Sequence, residues 1–155
     1  MTTLNIDDIA PDFTMPIKDG TEITLSKLKG KIVVLYFYPK DDTPGCTLEA
    51  QAFNLLKPEF AKANAIIIGI SKDNISSHNK FQDKYCLKFD LASDADSDTC
   101  ERYGVWVEKS MYGKKYMGIN RTTFLINQTG KIKHIWPKVS INGHAQEVLD
   151  FCKTL

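Results

Sequence analysis

The chain has 155 residues, of which 43% are hydrophobic and 25% are charged, and this composition suits one domain over residues 1–155. Twenty basic and nineteen acidic residues leave a net charge of +1, without the concentrated positive face that nucleic acid or an anionic membrane requires. The N-terminus has no basic segment followed by an apolar run, and no stretch approaches the roughly 18 apolar residues of a membrane span. We therefore expect a cytoplasmic protein with neither nucleic acid nor a membrane as partner.

Four apolar segments predict the strands of a central sheet. Residues 31–38 and 65–70 are continuous runs rich in β-branched and aromatic side chains, which is typical of central strands covered on both faces. Residues 122–127 and 131–136 flank a short connection that contains a glycine, and this pattern predicts an antiparallel hairpin. The late hairpin makes the predicted sheet mixed.

Helical segments lie between and after these strands. Start signals and apolar periodicity predict helices over residues 46–56, 76–86, 97–103 and 144–153. Pro58 would remove a backbone donor from a continuous helix, so we expect the first helix to end near Lys57 and a second to begin at Pro58. The order β-α-β-α, then α, β-β, α predicts an α/β protein with a thioredoxin-like fold, in which a central mixed β-sheet has helices on both faces.

The segment from Pro39 to Ala50 leaves a buried strand and enters a helix, at the edge where open α/β sheets place their sites. Thr43 is a preferred N-cap residue and Pro44 fits the first helical position, which makes Cys46 the third residue of the helix. Unpaired N–H groups and the helix dipole then favour a thiolate at Cys46. Cys46 is a predicted nucleophile on this argument, and a small apolar packing residue on the alternative one.

From this segment outward the sequence resembles a known family. Pro39-x-x-x-Thr43-x-x-Cys46 is similar to the active-site signature of the peroxiredoxins, and residues 43–50 resemble their Q-type branch, the bacterioferritin comigratory proteins. Further segments that look like this branch cover essentially the whole chain: 10–14, 35–42, 69–71, 77–78, 103–106, 111–118, 121–126 and 143–144. The resemblance implies a peroxidase that reduces hydrogen peroxide and organic hydroperoxides through a cysteine, with no metal or bound cofactor.

The resemblance also implies a role for each residue of the site. The Cys46 thiolate would attack one oxygen of the O–O bond while negative charge builds on the departing oxygen, where stabilisation must be aimed. Thr43 would orient the peroxide through its hydroxyl, and Arg121 would supply guanidinium donors. Glu49 would orient Arg121, and Pro39 would shield the thiolate from water. From the residues alone, Arg121 could also be an exposed charge and Glu49 a favourable charge near a helix N-terminus.

Turnover needs a second thiol, because oxidation beyond the sulfenic acid is largely irreversible. The resemblance places a resolving cysteine most often five residues after the first one, where this chain has Gln51, or in the next helix, where it has Gln82. Cys86 lies one helical turn beyond Gln82 and is our first candidate, with a packing role as the alternative. Without it, the enzyme would follow a one-cysteine cycle in which thioredoxin or another thiol attacks the sulfenic acid directly.

The remaining cysteines and the histidines suit structural roles. Cys152 continues the apolar stripe of the last predicted helix, and the spacing of Cys100 from Tyr103 suits an inward-facing position, although Cys100 could also be an alternative resolving residue. The three histidines show no spacing typical of a metal site, and His144 is predicted to begin the last helix.

Two other functions stay open at this point. A thiol-disulfide oxidoreductase normally uses a CxxC pair, and Cys46 has no cysteine within three residues. A noncatalytic thioredoxin-fold module would carry an inert cysteine. We expect a monomer or a weak homodimer whose reaction partners are a peroxide and thioredoxin or a similar thiol.

Overall fold

The computed structural model describes residues 2–18 and 20–155. The strands are β1 (Thr14–Lys18), β2 (Thr21–Thr24), β3 (Ile32–Phe37), β4 (Ala65–Ser71), β5 (Asp90–Ser93), β6 (Trp106–Met111), β7 (Lys114–Ile119), β8 (Thr122–Ile126) and β9 (Ile132–Trp136). The helices are α1 (Pro44–Lys62), α2 (Ile75–Tyr85), α3 (Thr99–Arg102) and α4 (His144–Cys152), and a 3₁₀ helix spans Leu25–Leu28. Among the described residues, no helix is long and apolar enough to cross a membrane.

Five of the strands form a central sheet in the order β5-β4-β3-β8-β9. Strand β4 runs parallel to β3 and β5, whereas β8 runs antiparallel to β3 and β9. The predicted mixed sheet and the predicted late hairpin are both confirmed. Gly130 in the hairpin connection has a φ of 88°, a conformation that favours glycine.

The central strand β3 is buried along its whole length, because apolar cores lie on both faces of the sheet. Its even-numbered side chains pack in the core that contains residues of α1, α2 and α4. Its odd-numbered side chains pack in the core that contains residues of β1, the 3₁₀ helix and α3. The continuous apolar run at residues 31–38 therefore reflects two-sided burial, as predicted.

The prediction that the first helix ends before Pro58 is wrong. Helix α1 is continuous from Pro44 to Lys62, and Pro58 lies exposed within it. An interior proline costs roughly 3 kcal/mol, chiefly through its missing donor and a steric clash. Phe53 and Phe60, on either side of Pro58, are fully buried, and each contributes about 1.5–3 kcal/mol by burial. Packing on both sides of the proline thus offsets its cost.

The β6–β7 hairpin is an element that the apolar pattern does not predict. Most of its side chains are exposed or half-buried, so it contains no apolar run. Tyr112 and Gly113 at its turn have φ values of 53° and 79°, and two successive positive φ angles are typical of a tight hairpin turn. The hairpin ends at Ile119, two residues before Arg121, which places it beside the predicted site.

Candidate active site

The predicted nucleophile lies at the start of α1, directly beyond the end of β3. Pro44 is the first residue of α1 and Cys46 the third, as the sequence predicts. The Cys46 side chain is buried, with 2% of its surface exposed. It lies at the edge of the sheet in the first turn of the helix, where N–H groups lack intrahelical partners.

Thr43 occupies the N-cap position, but its side chain makes no capping hydrogen bond. Its hydroxyl instead donates to the carbonyl oxygen of Lys40, at 2.8 Å. The predicted N-cap position of Thr43 is therefore confirmed, while its hydroxyl bonds to the loop and not to the helix. Because the hydroxyl proton is used by Lys40, the lone pairs of the Thr43 oxygen are free to accept a hydrogen bond from a bound molecule.

Arg121 reaches this helix from the far end of the chain. It directly precedes β8, whose first residue Thr122 pairs with Phe37 at the end of β3. This register carries the Arg121 guanidinium to the start of α1. Its Nη2 donates to the Cys46 sulfur at 3.2 Å, and its Nη1 donates to Oε1 of Glu49 at 2.6 Å. The three side chains that the resemblance groups together are in contact.

The Glu49 carboxyl group is nearly fully buried, and Arg121 donates a hydrogen bond to one of its two oxygens. The other oxygen, Oε2, has no hydrogen-bond partner among the described residues. Burial raises the pKa of Glu49 to about 7, against the lowering effect of the Arg121 charge and hydrogen bond. Burial acts to lower the pKa of Arg121, but the negative charges of Glu49 and Cys46 outweigh it and the pKa is raised. Arg121 is therefore a permanent cation beside the sulfur.

The raised pKa of Glu49 predicts a stability change with pH. The folded-state pKa lies above the ordinary value of 4.5, so the favourable contribution to stability is complete below about pH 4.5 and is lost as pH rises through about 7. A shift of this size is worth about 3 kcal/mol. Between pH 4.5 and 7 the free energy of unfolding of the wild type should fall by about 3 kcal/mol more than that of Glu49→Gln. Urea denaturation at each pH measures both free energies.

Glu59→Gln is the matched control for this measurement, since the Glu59 side chain is 46% exposed on the same helix and pairs with Lys62. We expect its unfolding free energy to follow the wild type at every pH. Parallel curves for Glu49→Gln and the wild type would contradict the assigned pKa.

Pro39 and Gly45 both belong to the segment that leads from β3 to Cys46. Pro39 is half-buried in the loop between β3 and α1. A Cβ at position 45 would lie 3.3 Å from both Nη2 of Arg121 and Cδ1 of Ile141. These contacts are tighter than ordinary packing, so a side chain at Gly45 would press on the guanidinium that contacts Cys46.

A buried polar network that the sequence reasoning missed holds the loop before Thr43. The Asp41 carboxylate accepts from the Tyr38 hydroxyl at 2.5 Å and from the Ser77 hydroxyl at 2.8 Å, and it contacts Nδ1 of His78 at 2.6 Å. The Asp41 N–H also donates to Asp73. The two aspartates and His78 place one possible metal ligand each within 4.8 Å, but these atoms already bond one another and the loop. An acidic residue after a strand and a histidine early in the next helix were the available signals.

The three other cysteines differ sharply in exposure. Cys86 is exposed at the end of α2, with its carbonyl bonded to Nδ2 of Asn54 in α1. Cys100 and Cys152 are buried in the two cores. Burial, then the nearby charge of Asp94, raises the pKa of Cys100 far above its usual range, and burial raises the pKa of Cys152 to about 12. Both are held as thiols in packed surroundings.

The positions of the glutamines bear on the missing resolving cysteine. Gln51 is exposed on α1. Gln82 is buried on α2 and its side chain donates to the carbonyl of Phe89 at 3.0 Å. Neither position offers a thiol. Of the four cysteines, Cys86 is the exposed one, whereas Cys46 is buried in the site and Cys100 and Cys152 are buried in the cores.

The chain is similar to known proteins along nearly its whole length. Residues 6–135 match the AhpC/TSA family. A protein of Coxiella burnetii named putative peroxiredoxin Bcp is 50% identical over 147 residues, covering 95% of this chain and 97% of that protein. Peroxiredoxin Q of Xanthomonas campestris has a TM-score of 0.89 at 43% identity, covering 99% of this chain and 97% of the other.

A second Xanthomonas campestris structure, from work on alkyl peroxide reduction by its bacterioferritin comigratory protein, gives a TM-score of 0.91 at 42% identity, covering 99% and 97% of the two chains. The chain therefore belongs to the AhpC/TSA family. Within it, the relatives place the chain among the Q-type peroxiredoxins, with their thioredoxin-like fold, and it is a thiol-dependent peroxidase. The oxidoreductase without peroxidase activity and the noncatalytic module are set aside.

Proposed function

We propose that Cys46 is the peroxidatic cysteine, and that it reduces hydrogen peroxide and alkyl hydroperoxides with Thr43, Arg121, Glu49 and Pro39. The observation that carries the proposal is the 3.2 Å hydrogen bond from Arg121 to the Cys46 sulfur at the first turn of α1. A cation and a helix N-terminus act there on one sulfur, and both favour its thiolate form. The alkyl peroxide reduction ascribed to the Xanthomonas campestris protein supports the substrate class.

The reaction is a two-electron displacement at oxygen. The Cys46 thiolate attacks one oxygen of the hydroperoxide, the S–O bond forms, and the O–O bond breaks with its electron pair on the departing oxygen. That oxygen takes a proton and leaves as water or an alcohol, while Cys46 becomes a sulfenic acid. Arg121 stabilises the negative charge as it moves from sulfur to the departing oxygen.

The other site residues prepare this step. The Thr43 oxygen, whose proton is donated to Lys40, accepts a hydrogen bond from the peroxide O–H and so orients the O–O bond. Glu49 fixes the guanidinium through the 2.6 Å hydrogen bond, and its single-sided contact leaves Nη2 directed at the sulfur. Pro39 covers the loop without offering a donor that would compete for the thiolate.

Recycling of the sulfenic acid needs a thiol, and we propose Cys86 as its first source. The Cys86 carbonyl accepts a hydrogen bond from the Asn54 side chain. Asn54 lies eight residues after Cys46 on α1, which is roughly 12 Å along the helix axis. Disulfide geometry requires Cα atoms within about 7 Å, so the first turn of α1 would unwind to bring buried Cys46 outward. The disulfide, or the sulfenic acid itself in a one-cysteine cycle, is then reduced by thioredoxin or a similar thiol.

Intact mass after one equivalent of peroxide tests the route of recycling. We expect the wild type to lose two hydrogens, because sulfenic acid and thiol condense to a disulfide with release of water. Peptide mapping should then join Cys46 to Cys86. The Cys86→Ser variant should instead gain one oxygen. A wild type that gains one oxygen as well would contradict Cys86 as the resolving residue and support the one-cysteine cycle.

We propose that the protein acts in the cytoplasm, where free thiols stay reduced, as a monomer or a weak homodimer. Sedimentation at increasing protein concentration tests the assembly state. A stable larger oligomer at low concentration would contradict it.

A further inference from the structure

A second cationic side chain approaches the active site from the β6–β7 hairpin. The base of this hairpin is joined to the site: Trp106 pairs with Ile119, and the N–H of Asn120 donates to Val105 at 2.8 Å, one residue before Arg121. Lys109 lies on β6, opposite Tyr116 in the register. It is half-buried, although it belongs to a strand whose neighbouring positions are exposed.

The Lys109 side chain extends along the hairpin toward its base. A Cβ placed on Gly118 would lie 3.2 Å from Cδ and 3.4 Å from Cε of Lys109. Gly118 pairs with Val107, two residues nearer the base than Lys109 itself. The aliphatic stem therefore passes over a position without a side chain and carries the ammonium group in the direction of Arg121.

Lys109 has no ion-pair or hydrogen-bond partner in the described part of the chain, which is unusual for a half-buried lysine. The neighbouring Lys115, by contrast, pairs with Glu108 at 3.6 Å and has a side chain that is 79% exposed. Burial lowers the pKa of Lys109, the Arg121 charge lowers it further, and the Cys46 charge raises it. The ammonium group thus lies within the electrostatic range of both active-site groups.

A thiolate at Cys46 offsets part of the positive charge on the side chains around it. Arg121 and Lys109 contribute two positive charges, whereas the one nearby carboxyl is Glu49, whose pKa of about 7 leaves it partly protonated at neutral pH. Two cations that face the same region repel each other, and an anion that lies near both offsets this repulsion. A thiolate at Cys46 supplies that charge, and the departing oxygen of a peroxide inherits it.

We propose that Lys109 is a positioning residue for the peroxidase reaction, which stabilises the Cys46 thiolate and the departing oxygen through its charge and without direct contact. This inference rests on the proposed role of Cys46. The titratable groups that face the sulfur are Glu49 on α1, Tyr36 on β3, Arg121 before β8 and Lys109 on β6. Only the last of these is altered in the test.

The experiment uses Cys86→Ser as the background, because it removes the exposed cysteine and leaves Cys100 and Cys152 as buried thiols whose pKa values are raised. Three substitutions are added to this background. Lys109→Met removes the charge but keeps an unbranched apolar stem, and Lys109→Arg keeps the charge. Lys115→Met is the control, because it removes an exposed charge from the same hairpin. Two rates are measured for each: alkylation by iodoacetamide as a function of pH, and reaction with hydrogen peroxide at neutral pH.

We expect Lys109→Met to move the midpoint of the alkylation profile upward by about half to one pH unit and to slow the peroxide reaction roughly three- to tenfold. Lys109→Arg should restore both, and Lys115→Met should change neither. The inference is overturned if Lys109→Met coincides with the background, or if Lys109→Arg shifts the profile as far as Lys109→Met does. A background protein that does not react with peroxide at all would instead overturn the proposed function, while the alkylation profiles still test Lys109.

Discussion

Replacing Cys46 with serine should reduce peroxide consumption by three orders of magnitude or more, roughly to the uncatalysed rate. A serine hydroxyl is not ionised at neutral pH, so neither the helix N-terminus nor Arg121 can hold it as an anion. The fold should persist, because serine differs from cysteine by one atom at a site where a polar partner, Arg121, is already present. Peroxide loss under thiol-reductant turnover is the measurement, with circular dichroism as the check on folding.

Cys86→Ser is the matched control, since it is the same change at an exposed cysteine. It should consume the first equivalent of peroxide at the wild-type rate, because Cys86 acts only after the sulfenic acid has formed. Rapid peroxide consumption by Cys46→Ser would assign the chemistry to another group.

Replacing Arg121 with glutamine should slow the reaction with peroxide by about 100-fold, the usual effect of removing one donor aimed at a developing negative charge. The variant also removes the cation that lowers the pKa of Glu49. That pKa should therefore rise further and leave the carboxyl neutral, so the domain is not expected to unfold at neutral pH. Single-turnover kinetics with one equivalent of hydrogen peroxide measure the step directly.

Arg102→Gln is the control for this change, because Arg102 is the only other arginine of the chain and its side chain bonds Asp98 and the Asp12 carbonyl, not the site. Its peroxide rate should equal that of the wild type. Equal slowing by the two substitutions would mean that Arg121 acts through stability or net charge and not through the sulfur.

Local sequence patterns predict the helix start that presents Cys46, but they do not predict which distant side chains contact it. A buried strand followed by Thr43, Pro44 and Cys46 indicates a helix that presents its third residue at the sheet edge, and the structure has this arrangement. Nothing local brings Arg121 to Cys46, which is 75 residues away along the chain. That contact depends on the pairing of β8 with β3, and the sequence supplied it only through the resemblance to a family.

The errors have physical causes of the same kind. The break assigned at Pro58 followed a local rule that the burial of Phe53 and Phe60 outweighs. The hydrogen bond from the Thr43 hydroxyl to Lys40 could not be predicted from the local pattern, because it depends on the loop geometry. Lys109 belongs to a hairpin without an apolar run, and its approach to the site depends on the absence of a side chain at Gly118.

The most direct test of the account is to locate the sulfenic acid. The Cys86→Ser variant is treated with one equivalent of hydrogen peroxide in the presence of dimedone, which forms a stable thioether with sulfenic acids, and the label is mapped by peptide mass spectrometry. We predict one label per chain, on the peptide that contains Cys46. A label on Cys100 or Cys152, or peroxide consumption that leaves Cys46 unmodified, would contradict Cys46 as the peroxidatic residue.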